Sequence, residues 1–410
     1  MEVGWGGGLV ITVVVTWVVG AYCYWCVRAL PIGVPRLLAS IPVLVVYASL
    51  PLIFNRQTHL IGVGAYFCIF TWVGSFKLLL FCWNQGPGCE PWVSASFPRF
   101  AIVMSFPAHI KRKGRVVKKI PESGSWFVHL MESETWSMLL VRSGVKVILL
   151  GYLLNHVFPM RDSIPKNVML GLYCIQLYLF ATILLETLGA IANSVFGVEL
   201  EPHFDNPLMA TSLEEFWARR WNLLVSNMLR ETVYNPVYWL LKTRQQKLMA
   251  PVANQTSSEQ QSGTFGATNL QSAPGIKSRS SIQEGISKAQ QQQQQQVAEK
   301  KPESQFDIPK FYAMLAAFFV SGLAHELAVY YMTLKVTGEM TAFFTLQGLA
   351  TGLEASLKVY YPQLKPPKLI CRFLTLGFCF ITSSYLFWPP LSRGADLQVI
   401  AEMQQILRIF

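Results

Sequence analysis

The sequence predicts an all-α, polytopic integral membrane protein with about eight transmembrane helices. Three observations carry this. Only 14% of the 410 residues are charged and 52% are hydrophobic, whereas soluble domains hold about 25% charged residues. Apolar stretches approaching the ~20 residues that a helix needs to cross a bilayer recur along the chain. Lysine and arginine are unevenly distributed between those stretches, as in a protein with a fixed orientation in the membrane.

Spans are expected at roughly residues 8–27, 36–54, 59–83, 139–158, 168–197, 311–333, 342–357 and 371–391. The first has no basic stretch ahead of it and Arg28 after it. That is the reverse of a cleavable signal peptide, so it reads as a retained anchor. The seventh, "AFFTLQGLATGLEASL", is the weakest because of its glycines and Glu354, and a tilted or re-entrant segment is an alternative there. Alternating the spans puts the connections 28–36, 84–138, 199–309 and 358–372 on one face, together with most of the 34 Lys and Arg residues. That face is expected to be cytoplasmic. The formal net charge of +11 is therefore a signal of topology and hardly one of nucleic-acid binding. The eight cysteines are scattered, mostly within spans. Cys23-x-x-Cys26 lacks a matching His or Cys pair, so small buried hydrophobes are expected in place of a zinc site.

Five regions follow. Residues 1–83 form an N-terminal three-span region, and 84–138 a basic, amphipathic cytoplasmic connection. Its "PRFAIVMSFPAHIKRKGRVVKK" gathers Lys111, Arg112, Lys113, Arg115, Lys118 and Lys119, which suits positive-inside anchoring or anionic headgroups. Residues 139–242 hold two spans and an interfacial helix. Residues 243–306 are a Gln/Ser-rich insert, with glutamine throughout Gln290–Gln296; it has too little apolar surface to offset ordering entropy and is expected to be disordered. Residues 307–410 are the C-terminal spans.

Chemistry concentrates in two places. Met314 to Met332 reads "MLAAFFVSGLAHELAVYYM", a spanning stretch with His325 and Glu326 inside it. Ionisable groups are costly in a bilayer and mark functional sites there. Ser321 and Gly322 lie one turn before His325, where small residues admit a neighbouring helix or a substrate chain. Glu326 points about 100° away on the helix, so His325 is expected to work as a lone base and not as half of a dyad. An imidazole, with a pKa near neutrality, can take the proton of a hydroxyl nucleophile.

The second place is "SLEEFWARRWNLLVSNMLRETVYNP". Ser212 and Glu215 form a capping box, and Leu213, Trp217, Trp221, Leu224 and Met228 recur at helical spacing. One helix from Ser212 to about Pro236 is expected, lying at the interface. Asn222 would share a flank with Arg219 and Ser226. Its amide could stabilise an oxyanion or orient an acceptor. Arg219, Arg220, Trp221 and Ser226, with Ser321, are the candidate contacts to a polyphosphate-bearing donor. The bland alternatives are a buried structural histidine and a simple interfacial anchor.

Competing signatures are missing. There is no G-x-S-x-G elbow, no P-loop and no dinucleotide fingerprint. His59, His109, His129, His156 and His203 form no close pairs, so no metal site is expected. A transporter using His325 and Glu326 as a proton relay stays open, although no symmetry between halves supports it. A membrane scaffold without activity is a third reading.

"FFVSGLAHEL" resembles the histidine motif of membrane-bound O-acyltransferases. "PHFDNPLMATSLEEFWARRWNLLVSNMLR" followed by "VYNPV" resembles the plant wax synthase-like branch, long-chain-alcohol O-fatty-acyltransferases, at Leu208 to Leu213 and Phe216 to Asn222. The resemblance covers about residues 30–240 and 310–390. It implies a polytopic, membrane-bound O-acyltransferase-like helical fold at the endoplasmic reticulum membrane. The implied reaction moves a long-chain acyl group from acyl-coenzyme A, a co-substrate, to a fatty alcohol, making a wax ester without a resident cofactor. A sterol or diacylglycerol is the alternative acceptor. The resemblance makes His325 the catalytic histidine and Asn222 the motif asparagine. Ala218 stands where the family commonly has glycine, His203 and Asp205 vary the pattern, and the Gln-rich insert is unusual.

Overall fold

A computed structural model describes residues 4–107, 136–196, 203–249, 306–364, 366–393 and 396–409. The basic cluster at 111–119 and nearly all of the Gln-rich insert lie outside the described residues. The described residues are helical, with no strand among them. Helices α1 (Trp5–Val27), α2 (Val34–Ile53) and α3 (Leu60–Cys82) are apolar enough and long enough to cross a membrane. Next comes the short α4 (Phe97–Ser105). Then follow α5 (Ser143–Ser163) and α6 (Lys166–Thr187), both of spanning length and hydropathy. A helix over residues 223–249, α7, precedes α8 (Ile308–Thr333). The chain then forms α9 (Glu339–Tyr360), α10 (Lys368–Ser392) and α11 (Asp396–Ile409).

Seven helices among the described residues therefore qualify as spans by length and composition, where about eight were expected. The one left out is α9. It is a continuous helix of 22 residues, about 33 Å long, so it is not a broken, re-entrant segment; its polar residues lower its average hydropathy.

Among the described residues, two large cores organise the helices, and a small one of Val73, Leu224 and Met228 seats α7 on α3. The first joins Val19 and Cys23 of α1, Tyr47 of α2, Tyr66 and Phe81 of α3, and Phe100 and Met104 of α4. The amphipathic start of the 84–138 connection is thus packed inside the protein. Lys77 is fully buried and donates to the carbonyls of Val103 (2.7 Å) and Phe106, closing the open C-terminal end of α4. The second core joins α5, α6 and α11. From α11 the buried Glu402 reaches back to α3 and accepts from the N–H groups of Leu60 (2.5 Å) and Ile61 (2.9 Å).

Helices α8 and α9 form a tight antiparallel hairpin. Asp307 caps α8 by accepting from Lys310 N (3.1 Å), and Leu334 ends the helix in the left-handed region. Gly322 faces α9 so closely that a Cβ there would sit 2.9 Å from Thr341 Cα, the close approach that small residues permit. Glu326 is buried and accepts from the N–H groups of Thr337 and Gly338 (both 2.7 Å) and Met340 (3.1 Å). Its carboxylate caps the first turn of α9.

Candidate active site

His325 projects from the middle of α8 into an aromatic enclosure. Its ring stacks on Phe344 of α9 (centroids 4.0 Å, planes 25° apart) and meets the edge of Trp72 of α3 at 4.8 Å. Phe387 of α10 stands at 6.2 Å. His325 Nδ1 lies 2.8 Å from the carbonyl oxygen of Ser321, one turn back. A carbonyl only accepts, so Nδ1 carries the hydrogen and Nε2 presents its lone pair. Ser321 therefore sets the tautomer through its backbone.

His325 lines a cavity of about 520 Å³ that Ser321, Asn222, Trp221 and Ser226 also line. The two motifs, 103 residues apart in sequence, share one site. Along α8 the lining continues through Phe318, Met314 and Phe311 to Lys310 and Asp307. From His325 to Lys310 is 15 residues, about 22 Å along the helix. Along α8 the lining is thus apolar from Phe318 to Phe311 and polar at its far end, where Arg230 and Tyr234 join Lys310 and Asp307.

The segment bearing Asn222 differs from the single helix expected from the sequence. Ser212 does cap it, accepting from Glu215 N at 3.0 Å. After a wide turn at Phe216–Arg220, Trp221 becomes extended and Asn222 adopts φ 42°, ψ 66°. Only then does α7 begin, with Asn222 Oδ1 accepting from Val225 N (3.4 Å). Asparagine enters the left-handed region more readily than most residues, at a cost of about 1–3 kcal/mol that the surroundings must offset. With Oδ1 so occupied, Nδ2 is the donor that Asn222 can offer to the cavity. The helical flank of Arg219, Asn222 and Ser226 does not exist in that form. Ser226 Oγ donates to Trp217 O at 2.7 Å, bridging the break.

This segment hangs on α9. Trp217 Nε1 donates to the buried Gln347 Oε1 (3.1 Å), and Leu213 N donates to Glu354 Oε2 (2.7 Å). Gln347 Nε2 in turn donates to Thr382 Oγ1 of α10 at 2.7 Å. Glu215 receives Arg220 Nε (2.8 Å) and Nη2 (2.6 Å), and both the N–H and the hydroxyl of Thr211 at 2.8 Å. Burial alone would raise the Glu215 pKa. These donors outweigh it and hold the carboxyl below its ordinary value.

The sequence-predicted residues thus separate. His325, Asn222, Trp221, Ser226 and Ser321 line one cavity. Arg219 and Arg220 do not: Arg219 is exposed, and Arg220 is committed to Glu215 and to the carbonyls of Asp205 and Asn206. The cations on the cavity are Arg230 and Lys310, the latter 3.1 Å from Asp307. Glu326 faces the α9 N-terminus with its carboxylate filled, so the structure does not pair it with His325. No motif in the sequence marked Trp72, Phe344 or Gln347 as part of the site, and Trp217 stood out only as one position of an apolar stripe. A signal existed for Gln347 and Glu354, which are polar residues inside an otherwise apolar stretch. Among the described residues no three His, Cys, Asp or Glu side chains gather in a way that could hold a metal ion.

Comparison with known proteins identifies the family. The profile of the membrane bound O-acyl transferase family matches residues 200–263, which include the Asn222 turn. A probable long-chain-alcohol O-fatty-acyltransferase of Arabidopsis thaliana is 31% identical over 375 residues, 91% of this chain and 88% of the relative. The long-chain-alcohol O-fatty-acyltransferase of Simmondsia chinensis is 29% identical, covering 93% of this chain and 89% of its own. An acyl-CoA–sterol O-acyltransferase of Arabidopsis thaliana is 27% identical, covering 91% and 87%. No solved structure matches the chain. The chain is an acyltransferase that belongs to the membrane-bound O-acyltransferase family, in its plant wax synthase-like branch.

Proposed function

We propose that this protein transfers a long-chain acyl group from acyl-coenzyme A to a long-chain alcohol in the endoplasmic reticulum membrane, with His325 as the general base. One observation supports this most: His325 is held by Ser321 in the tautomer that presents Nε2 as an acceptor, on a cavity that also holds Asn222. In this reading Nε2 takes the alcohol proton as the oxygen attacks the thioester carbonyl. The Asn222 amide donates to the oxyanion. The tetrahedral intermediate then collapses, expelling the coenzyme A thiolate, which takes up the proton from the imidazolium. No covalent enzyme intermediate is needed.

The donor would enter at the polar end of the cavity. Arg230 and Lys310 there replace Arg219 and Arg220 as the contacts proposed for its phosphates. The apolar length between them and His325 would hold the arm that delivers the thioester. A sterol acceptor is a second reading, favoured by the relative named as a sterol O-acyltransferase.

The test is ester formation by microsomes from a yeast lacking its own neutral-lipid acyltransferases, supplied with labelled acyl-coenzyme A and either a fatty alcohol or a sterol. Wax ester from the wild type, and none from His325→Ala at equal protein level, is expected. Retained turnover by His325→Ala would refute the mechanism, and steryl ester as the main product would reassign the acceptor. Asn222→Ala is expected to lose about 100-fold in kcat, the scale of a lost oxyanion donor.

A further inference from the structure

Asn222 carries a φ of 42°, and the residues that hold it there lie outside the cavity. Segment 203–206 runs beside the turn and pairs with it on both sides. Asp205 N donates to Arg220 O (2.9 Å), and Leu223 N donates to His203 O (2.8 Å). These bonds grip the residues on either side of Trp221 and Asn222. Arg220 adds side-chain donors to the carbonyls of Asp205 (3.1 Å) and Asn206 (3.4 Å).

The brace needs an anchor, and His203 supplies it. Its side chain is buried at 9% exposure, and its Nε2 lies 3.2 Å from the carbonyl oxygen of Pro107. A carbonyl accepts only, so Nε2 is protonated and donates. Pro107 directly follows the Phe106 carbonyl that receives Lys77 of α3. The left-handed turn at Asn222 is thereby tied, through His203, to a fixed point on the α3–α4 core. Nothing in the proposed chemistry uses the His203 ring. It does not line the cavity, and its imidazole does not face substrate.

We infer that His203 is a positioning residue for acyl transfer: by donating to Pro107 it fixes segment 203–206, and its own carbonyl then pins Leu223 and holds the Asn222 turn in place. This rests on the proposed part played by Asn222. A misplacement of about 1 Å at a reacting group can cost up to about 100-fold in rate, so loss of the anchor should act on kcat and leave donor binding alone.

A double-mutant cycle tests this, with kcat and KM for acyl-coenzyme A measured in microsomes at matched protein level. His203→Ala is expected to lower kcat by about 10- to 100-fold with KM changed less than about twofold. His203→Gln keeps an amide donor for Pro107 and is expected to retain most of the turnover. In an Asn222→Ala background, His203→Ala should cost less than about twofold, because the group it positions is already gone. Equal fold losses in both backgrounds, or unchanged kcat in His203→Ala, would overturn the inference. Should His203→Ala not accumulate, His203→Leu, which fills the buried volume without a donor, enters the same cycle. If Asn222→Ala itself leaves kcat unchanged, the proposed role of Asn222 fails first, and the cycle reports that separately.

Discussion

Replacing Glu326 separates a catalytic dyad from a helix cap, because the two roles predict opposite readouts. Its carboxylate accepts from Thr337 N and Gly338 N at 2.7 Å and from Met340 N at 3.1 Å. Thr337 Oγ1 (3.3 Å) and Thr341 N (3.4 Å) are longer contacts. Hydrogen bonds to a charged acceptor contribute about 1.5–3 kcal/mol each. Counting only the two short ones, Glu326→Ala should cost about 3–6 kcal/mol, and α9 would begin with several N–H groups unanswered. At about 2 °C per kcal/mol for a chain of this size, the melting temperature should fall by roughly 6–12 °C. Glu326→Gln keeps one acceptor oxygen but turns an NH2 group towards the same donors, so an intermediate fall is expected. The assay pairs thermal unfolding of detergent-solubilised protein with ester formation per folded molecule. Specific activity of Glu326→Gln should stay within about threefold of wild type at a temperature where both are folded. An unshifted melting temperature with activity lost by 100-fold or more would refute the cap and restore the dyad.

Two further outcomes follow from the cavity and its frame. Arg230→Ala should raise the KM for acyl-coenzyme A by about 5- to 10-fold, the loss of roughly one charge-assisted phosphate contact. Arg219→Ala should leave it unchanged, and the opposite ranking in microsomal kinetics would move the donor site. Trp217→Phe keeps the ring packing on Phe344 (5.7 Å) but leaves the buried Gln347 oxygen only the weak thiol donor of Cys379 at 3.9 Å, a loss of about 1–3 kcal/mol. Its melting temperature should drop by several degrees, while Trp5→Phe, at an exposed tryptophan, shifts it little.

What the sequence made legible was whatever depends on composition and near neighbours. The span positions follow from runs of apolar residues, and the turning of Glu326 away from His325 follows from the 100° between adjacent helical residues. The Ser212 cap is a contact three residues long. What stayed hidden depends on partners far along the chain. A continuous amphipathic stripe from Leu213 to Met228 gave no sign of the break at Asn222, because the bonds that enforce it come from His203 and Asp205. Arg219 and Arg220 stood in the motif and looked available, yet Arg220 is taken by Glu215, five residues back in sequence and brought within 2.6 Å by the wide turn. Arg230, which nothing local marked out, lines the cavity from α7.

The same distinction accounts for α9, whose hydropathy is the lowest of the long hairpin helices although its surroundings suit a bilayer. Its inward face carries Gln347, fully buried, and Glu354, and each binds the motif segment or α10. Its outward face presents Leu346, Leu349, Leu353 and Leu357, all exposed, at the spacing of one helical stripe. A bilayer tolerates polar side chains that are satisfied within the protein and excludes those that face lipid. Averaging over both faces counts Gln347 and Glu354 as costs to insertion, although the protein itself supplies their partners. The antiparallel packing of α8 and α9 puts the start of α8 and the end of α9 on one side, together with Lys310, Arg230 and Lys358. Under the function proposed above that side faces the cytoplasm, as the positive-inside rule expects of its lysines and arginines. The polar end of the cavity would then open where a water-soluble acyl donor arrives, with His325 about 22 Å deeper among apolar walls, within reach of an acceptor that never leaves the membrane.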